Sequence, residues 1–207
     1  MRNMVAILGV IGFVVLLGPA PAVAQETPLT FFVTSDGPGD GGNLGGLAGA
    51  DAHCQMLAAG VGAGDRTWHA YLSTQGPNAV NARDRIGAGP WYNARGDLIG
   101  NTVDEIHGLG HRFNTRSALD PEGRKIPDGE FTPNRHDILT GSTMDGMAYP
   151  AGDDMTCGNW TSNTTGKARV GHHDRANWLS AHDTQACSQD SFPETGGDGL
   201  FYCFAID

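Results

Sequence analysis

Basic side chains are scarce in this 207-residue chain: 13 Lys and Arg face 23 Asp and Glu, for a formal net charge of −10. That balance is a poor match for nucleic acid, anionic lipid or heparin-like surfaces, all of which are gripped by clustered cations. Long apolar runs are missing after the first 24 residues, so no later segment is expected to span a membrane. Cys-x-x-Cys is missing too, which removes support for zinc-ribbon and thioredoxin-like readings. There is no phosphate loop, no dinucleotide fingerprint with a following βαβ unit, no EF-hand spacing, no Gly-x-Ser-x-Gly elbow and no internal repeat. Aromatic residues are only 8% of the chain, yet Trp68, Trp91, Trp160 and Trp178 each fall in a different segment. Together with 31 Gly and 11 Pro, that spread describes a folded, loop-rich domain rather than a disordered one.

What is present begins with a leader. Arg2 supplies a positive start, Val5 to Leu17 is almost wholly apolar, and Pro19 and Pro21 break the run before a small-x-small site at Ala22, Val23 and Ala24. Residues 1–24 therefore read as a secretory signal, too short and wrongly flanked for a stable membrane anchor, and residues 25–207 as a single domain. The expected location is secreted, periplasmic or extracellular. Four cysteines follow, Cys54, Cys157, Cys187 and Cys203. An even count in an exported chain reads as a disulfide set.

The local pattern is sparse in helix. Residues 29–34 combine aromatic and β-branched side chains and predict a strand, which gives way to a glycine-rich turn region from Ser35 to Gly46. Ala50, Cys54, Leu57, Ala58 and Val61 recur at helical spacing, with Asp51 near the expected N-terminus and Gly60, Gly62 and Gly64 as stop signals. Residues 68–73 predict a second strand. Residues 74–156 predict mostly loops with short ordered pieces near Ile86, Trp91, Leu98 and Ile138. A glycine-rich turn at 196–199 leads into a dense apolar strand from Leu200 to Ala205. Few helices, short strands and strands at both ends predict an α+β domain with long loops over an antiparallel core.

Several segments carry a family likeness. Gly49 to Cys54 followed by Arg66 to Ser73 resembles the helix-then-strand opening of endostatin-type domains. Asp137 to Ser142 resembles that family's strand ending in a Gly-Ser turn, Thr156 to Thr161 its Cys-x-x-Trp segment, and Cys187 and Cys203 its closing cysteines. The likeness spans residues 29–206 and extends to bacterial secreted proteins labelled lectins or domains of unknown function, all sharing the C-type lectin-like fold. It implies an antiparallel sheet with one or two helices and two nested disulfides, Cys54–Cys203 and Cys157–Cys187. In the chain-entropy model these would contribute roughly 5 and roughly 3–4 kcal/mol. The likeness stops short of two functions. Thr132, Pro133 and Asn134 lack the carboxamide or carboxylate that calcium-dependent lectins carry before the proline, and Asn177 and Trp178 reverse the order of their Trp-Asn-Asp element. The arginines are scattered, so endostatin's heparin affinity is not implied either.

The most unusual cluster is His172, His173, Asp174 and Arg175, with His182 and Asp183 shortly after and His136 and Asp137 upstream. The resemblance would put these segments on the long-loop face. Imidazole and carboxylate can complete a zinc-type site. Side chains alternate along a strand, however, so only one of His172 and His173 is expected to join His136 and His182. The alternative is that these histidines hydrogen-bond loop backbone and order a stapled loop. Arg83, Asp84 and Arg85 read either as an anion clamp or as an internal ion-pair network. Asp145, Asp153, Asp154 and Asp190 read either as a calcium site or as solvated turns. Trp160, near Cys157, is expected to pack on a disulfide, whereas Trp91 and Trp178, in polar and glycine-rich surroundings, are expected at the surface, free to stack on a sugar ring. The expectation is a non-enzymatic recognition module that binds a glycan or extracellular protein through His136, Asp137, His172, His173, Asp174, Trp178 and His182. No cofactor is required, though a zinc or calcium ion is compatible. A structural subunit of an extracellular assembly, and a metal-dependent enzyme built on His136, His172, His173 and His182, are the rivals.

Overall fold

The computed structural model describes residues 28–207, and the expected secretory signal at 1–24 lies outside that range. Ten elements order the chain: β1 (Phe31–Val33), α1 (Gly46–Gly60), β2 (Trp68–Ala70), β3 (Trp91–Tyr92), β4 (Leu98–Gly100), α2 (Val103–His107), β5 (Asp137–Leu139), β6 (Arg169–His172), β7 (His182–Asp183) and β8 (Gly197–Ala205). The fold is mixed α and β, dominated by short strands and loops. No helix among the described residues is long and apolar enough to cross a membrane.

The nine-residue β8 organises the sheet. β1 pairs along one edge, with Phe31 opposite Phe204 and Val33 opposite Tyr202. Along the other edge β5 pairs with the first half of β8 and β2 with the second half. The sheet then continues from β5 to β6 and β7. All these pairs are antiparallel except β5 with β8, which is parallel. That one pair corrects the expectation of a wholly antiparallel core. Strand parity is not encoded in a short apolar segment, because only the path of the connecting loops decides the direction in which β5 arrives.

Both faces of β8 are buried, which is why it reads as a continuous apolar run rather than an alternating one. Phe201, Cys203 and Ala205 point into one core with Phe32, Leu139, Trp160 and Val170, beneath α1. Leu200, Tyr202 and Phe204 point into the other, with Phe31, Trp91, Ile99, Ile106, Phe113 and Trp178. On the first face α1 buries Ala50, Cys54 and Ala58 as the helical spacing requires. The helix begins four residues earlier than the first of these, after Gly45 in the left-handed region at φ 75°. Asp51 is therefore inside the helix rather than capping it. Its carboxylate accepts from the Ala70 amide at 2.8 Å and pairs with Arg85 at 2.7 Å, fixing α1 to β2. Arg83 pairs with Asp104 at 3.0 Å at the surface, so both arginines of the Arg-Asp-Arg segment are engaged in ion pairs within the chain.

Two disulfides, Cys54–Cys203 and Cys157–Cys187, tie α1 to β8 and close a loop of the later chain. Trp160 packs in the same core as the second bridge and donates its indole N–H to the Ser73 carbonyl at 2.8 Å. Cys157, Asn159 and Trp160 all have positive φ, a conformation that costs non-glycine residues energy unless the surroundings enforce it. Here the bridge, the Trp160 contact and the Asp154 carboxylate, which accepts from the amides of Thr156 and Gly158, do so.

The second face is covered by loops, and those loops carry their own core. The Phe113 and Trp178 rings stack with centroids 3.7 Å apart. Trp178 and Trp91 are each only 1% exposed. The surface role expected for both is thus corrected: neither ring can stack on a ligand. Polar neighbours in sequence misled because loop burial depends on what the loop lies against. Trp178 crosses β6 directly at Gly171, where any Cβ would sit 1.7 Å from the Trp178 carbonyl oxygen.

Candidate functional site

Strand pairing assembles the histidines. Asp137 opens β5 and faces His172, the last residue of β6; Val170, two residues earlier on the same face, faces His182 of β7. Asp137, His172 and His182 therefore project from one sheet face, the one that also carries Leu139 and Val170 into the core beneath α1. His136, just before β5, lays its ring on that of His172, with centroids 4.4 Å apart and planes 16° from parallel.

The three imidazoles meet at one atom. Asp137 Oδ1 lies 3.2 Å from His136 Nε2, 3.2 Å from His172 Nε2 and 3.3 Å from His182 Nε2. Asp137, His136 and His172 are buried, and their ligand atoms lie within 4.8 Å of one another. His182 approaches from the solvent side, with a side chain 37% exposed. None of the three contacts has hydrogen-bond geometry: both Asp137 oxygens and both His172 ring nitrogens are buried without a partner. The outer nitrogens of His136 and His182 are anchored elsewhere, while that of His172 has no partner. His136 Nδ1 meets Asp174 Oδ2 at 3.4 Å, and His182 Nδ1 meets the Asp183 carbonyl at 3.1 Å.

Burial pushes the Asp137 carboxyl up, but the close imidazoles of His136 and His172, the Thr195 hydroxyl and the charge of His182 outweigh it and hold the group well below the usual carboxylate range. Asp137 in turn raises His136 against the opposing effect of burial.

Of the seven residues singled out from the sequence, the structure brings together His136, Asp137, His172 and His182, with Asp174 behind His136. Trp178 lies in the opposite core. His173 turns away from His172, as alternation requires, and is fully buried, its ring pushed down to about 4 chiefly by that burial. Thr195, which touches Asp137, was not picked out, because a lone threonine in a turn carries no sequence signal. Among the described residues, the scattered aspartates at 145, 153, 154 and 190 form no comparable group.

The space beside Asp137, walled by Leu139, Val170, Phe192 and Thr195, has no room for a water molecule. Open clefts lie elsewhere, one of about 490 Å³ bordered by Leu29, Val61, Arg66 and Pro121, and one of about 280 Å³ bordered by Trp91, Tyr92 and Asp207. Neither contains any of the seven residues. Compared with known proteins, the chain matches no family model and no curated sequence.

Proposed function

We propose that this chain is an exported, disulfide-stapled recognition module of the C-type lectin-like, endostatin-related kind, which binds a glycan or another extracellular surface ligand over the His136–Asp137–His172–His182 convergence. The observation that carries this reading is the convergence itself: three imidazoles, from β6, β7 and the residue before β5, gathered at one buried oxygen of Asp137 at a cost in desolvation. Two nested bridges support export, since such bonds persist in oxidising compartments. The shallow setting favours surface recognition over catalysis, because an enzyme pocket normally engulfs most of a small substrate.

The side chains able to touch a ligand there are His182 and Arg175, which is 59% exposed beside Asp174. The aromatic stacking partner expected of a sugar site is withdrawn, as Trp178 is buried. Contacts to hydroxyl or carboxylate groups carry the recognition instead. The test is a glycan array probed with oxidised, tag-free protein, followed by Arg175→Ala and His182→Ala. A discrete hit lost in both variants supports the reading. A silent array, or a hit untouched by both changes, overturns it.

A further inference from the structure

We infer that His136, Asp137, His172 and His182 are the four ligands of a zinc-class divalent cation in a closed, tetrahedral site that staples the ends of β5, β6 and β7.

The distances discriminate between an ion-pair cluster and a metal site. A charge-assisted imidazolium–carboxylate contact is about 2.7–2.9 Å with the N–H aimed at the oxygen. Zinc bonds to imidazole nitrogen and carboxylate oxygen are about 2.0–2.2 Å, so neighbouring corners of the tetrahedron stand about 3.3–3.5 Å apart. The three edges that meet at Asp137 Oδ1, 3.2, 3.2 and 3.3 Å, sit close to that range. Orientation agrees. The Asp137 oxygens and the His172 ring nitrogens are buried and make no hydrogen bond despite these short spacings, which leaves their lone pairs free for a cation.

The surroundings of the ligands agree independently. A metal-bound histidine almost always donates its other ring N–H to a carboxylate or carbonyl, which fixes the tautomer. His136 has Asp174 in that place and His182 has the Asp183 carbonyl. In both, the Nε2 lone pair is left for the cation. Three nitrogen donors and one oxygen suit zinc and exclude calcium, which takes six to eight oxygens. His136, Asp137 and His172 form the tight trio; His182 stands outside it, with its Nε2 3.3 Å from Asp137 Oδ1, and its partly exposed ring must turn toward the trio to supply the fourth corner. Four protein ligands leave no open position for water or substrate, which marks a structural site rather than a catalytic one.

This inference shares the cluster with the recognition reading but needs no glycan. Chelator-stripped, tag-free protein with both disulfides intact is titrated with Zn²⁺ against a chromophoric competitor. One equivalent is expected, with a raised thermal midpoint, and Co²⁺ loading should give the intense visible bands of a tetrahedral ion. Asp174→Asn should weaken Zn²⁺ about 10–100-fold, and His182→Gln at least as much. His182 is partly exposed and Asp174→Asn keeps the shape of a side chain that is 10% exposed, and circular dichroism checks that both variants keep the metal-free fold. No stoichiometric uptake by folded protein overturns the site. Unchanged affinity in His182→Gln overturns the closed four-ligand arrangement. Zn²⁺ uptake with a silent glycan array leaves the site standing and removes the recognition reading.

Discussion

The two faces of the sheet solve burial differently. Beneath α1, a regular helix presents Ala50, Cys54 and Ala58 to β8, and a disulfide locks the contact. On the opposite face, short elements and loops between residues 82 and 113, with the loop around Trp178, lay Trp91, Ile106, Phe113 and Trp178 against the same strand. One face is held by periodicity and a covalent tie. The other is held by aromatic packing between segments distant in sequence. A loop-rich protein can therefore have a second core with little regular structure of its own, provided large side chains replace the missing backbone ladder.

The largest test of that difference is to cut the tie. The double change Cys54→Ser with Cys203→Ser should cost about 5 kcal/mol, read from urea midpoints by circular dichroism. Because β8 belongs to both cores, near-ultraviolet signals from Trp68 and Trp178 should vanish together; separate transitions would show that the faces unfold independently. Next comes the loop face. Trp178→Ala should cost about 3–5 kcal/mol if its packing is a true core, whereas a loss below about 0.5 kcal/mol would mark a surface position. The inner staple follows at roughly 3–4 kcal/mol for Cys157→Ala with Cys187→Ala. That change should also relax the positive-φ turn at Asn159 and Trp160, visible as faster amide exchange there.

The smallest effect separates the faces by acid. His107, on the loop face, donates its Nδ1–H to the Val103 carbonyl, and its Nε2 lies 2.7 Å from the Tyr71 hydroxyl, an arrangement the neutral ring satisfies by accepting from that hydroxyl. Burial lowers its affinity for a proton, the nearby Arg83 does so too, and Asp145, Asp104 and the Val103 contact oppose less strongly. His111, beside Trp178, is lowered by burial as well. The unfolded chain therefore binds protons that the folded chain refuses, so stability is complete above about pH 6.5, the ordinary histidine value, and falls as pH drops below it. Denaturation midpoints at neutral and mildly acidic pH should show this slope, to which the buried His173, lowered to about 4, also contributes, and His107→Gln should reduce it. A slope unchanged in that variant would assign the acid sensitivity elsewhere.

Much of the helix-bearing face was legible. The spacing of Ala50, Cys54 and Ala58 and the apolar run from Leu200 to Ala205 are local patterns, and local patterns carry their own period. The strand near Phe31 and the short pieces at Trp91, Leu98 and Ile138 were legible for the same reason. The short helix at 103–107 was not, although Thr102 caps it by accepting from the Glu105 amide, because one turn of helix leaves too few residues to show a period. The exposure of Trp178 was misread because its neighbours in the chain are polar while its neighbours in space are Phe113, Tyr71 and Tyr202. At the candidate site, alternation correctly separated His172 from His173. The meeting of His136, Asp137 and His182 depended on which strands pair, which no single segment records.

By itself, then, the sequence determined composition, charge, an even set of cysteines, and the periods of one helix and a few strands, because each of these is a property of residues close together in the chain. Tertiary structure alone decided that β5 runs parallel to β8, that loops build a second aromatic core, and that three histidines reach one carboxylate oxygen. Those outcomes depend on strand order and register, and a shift of one residue in β6 would send His172 to the opposite face and dissolve the cluster.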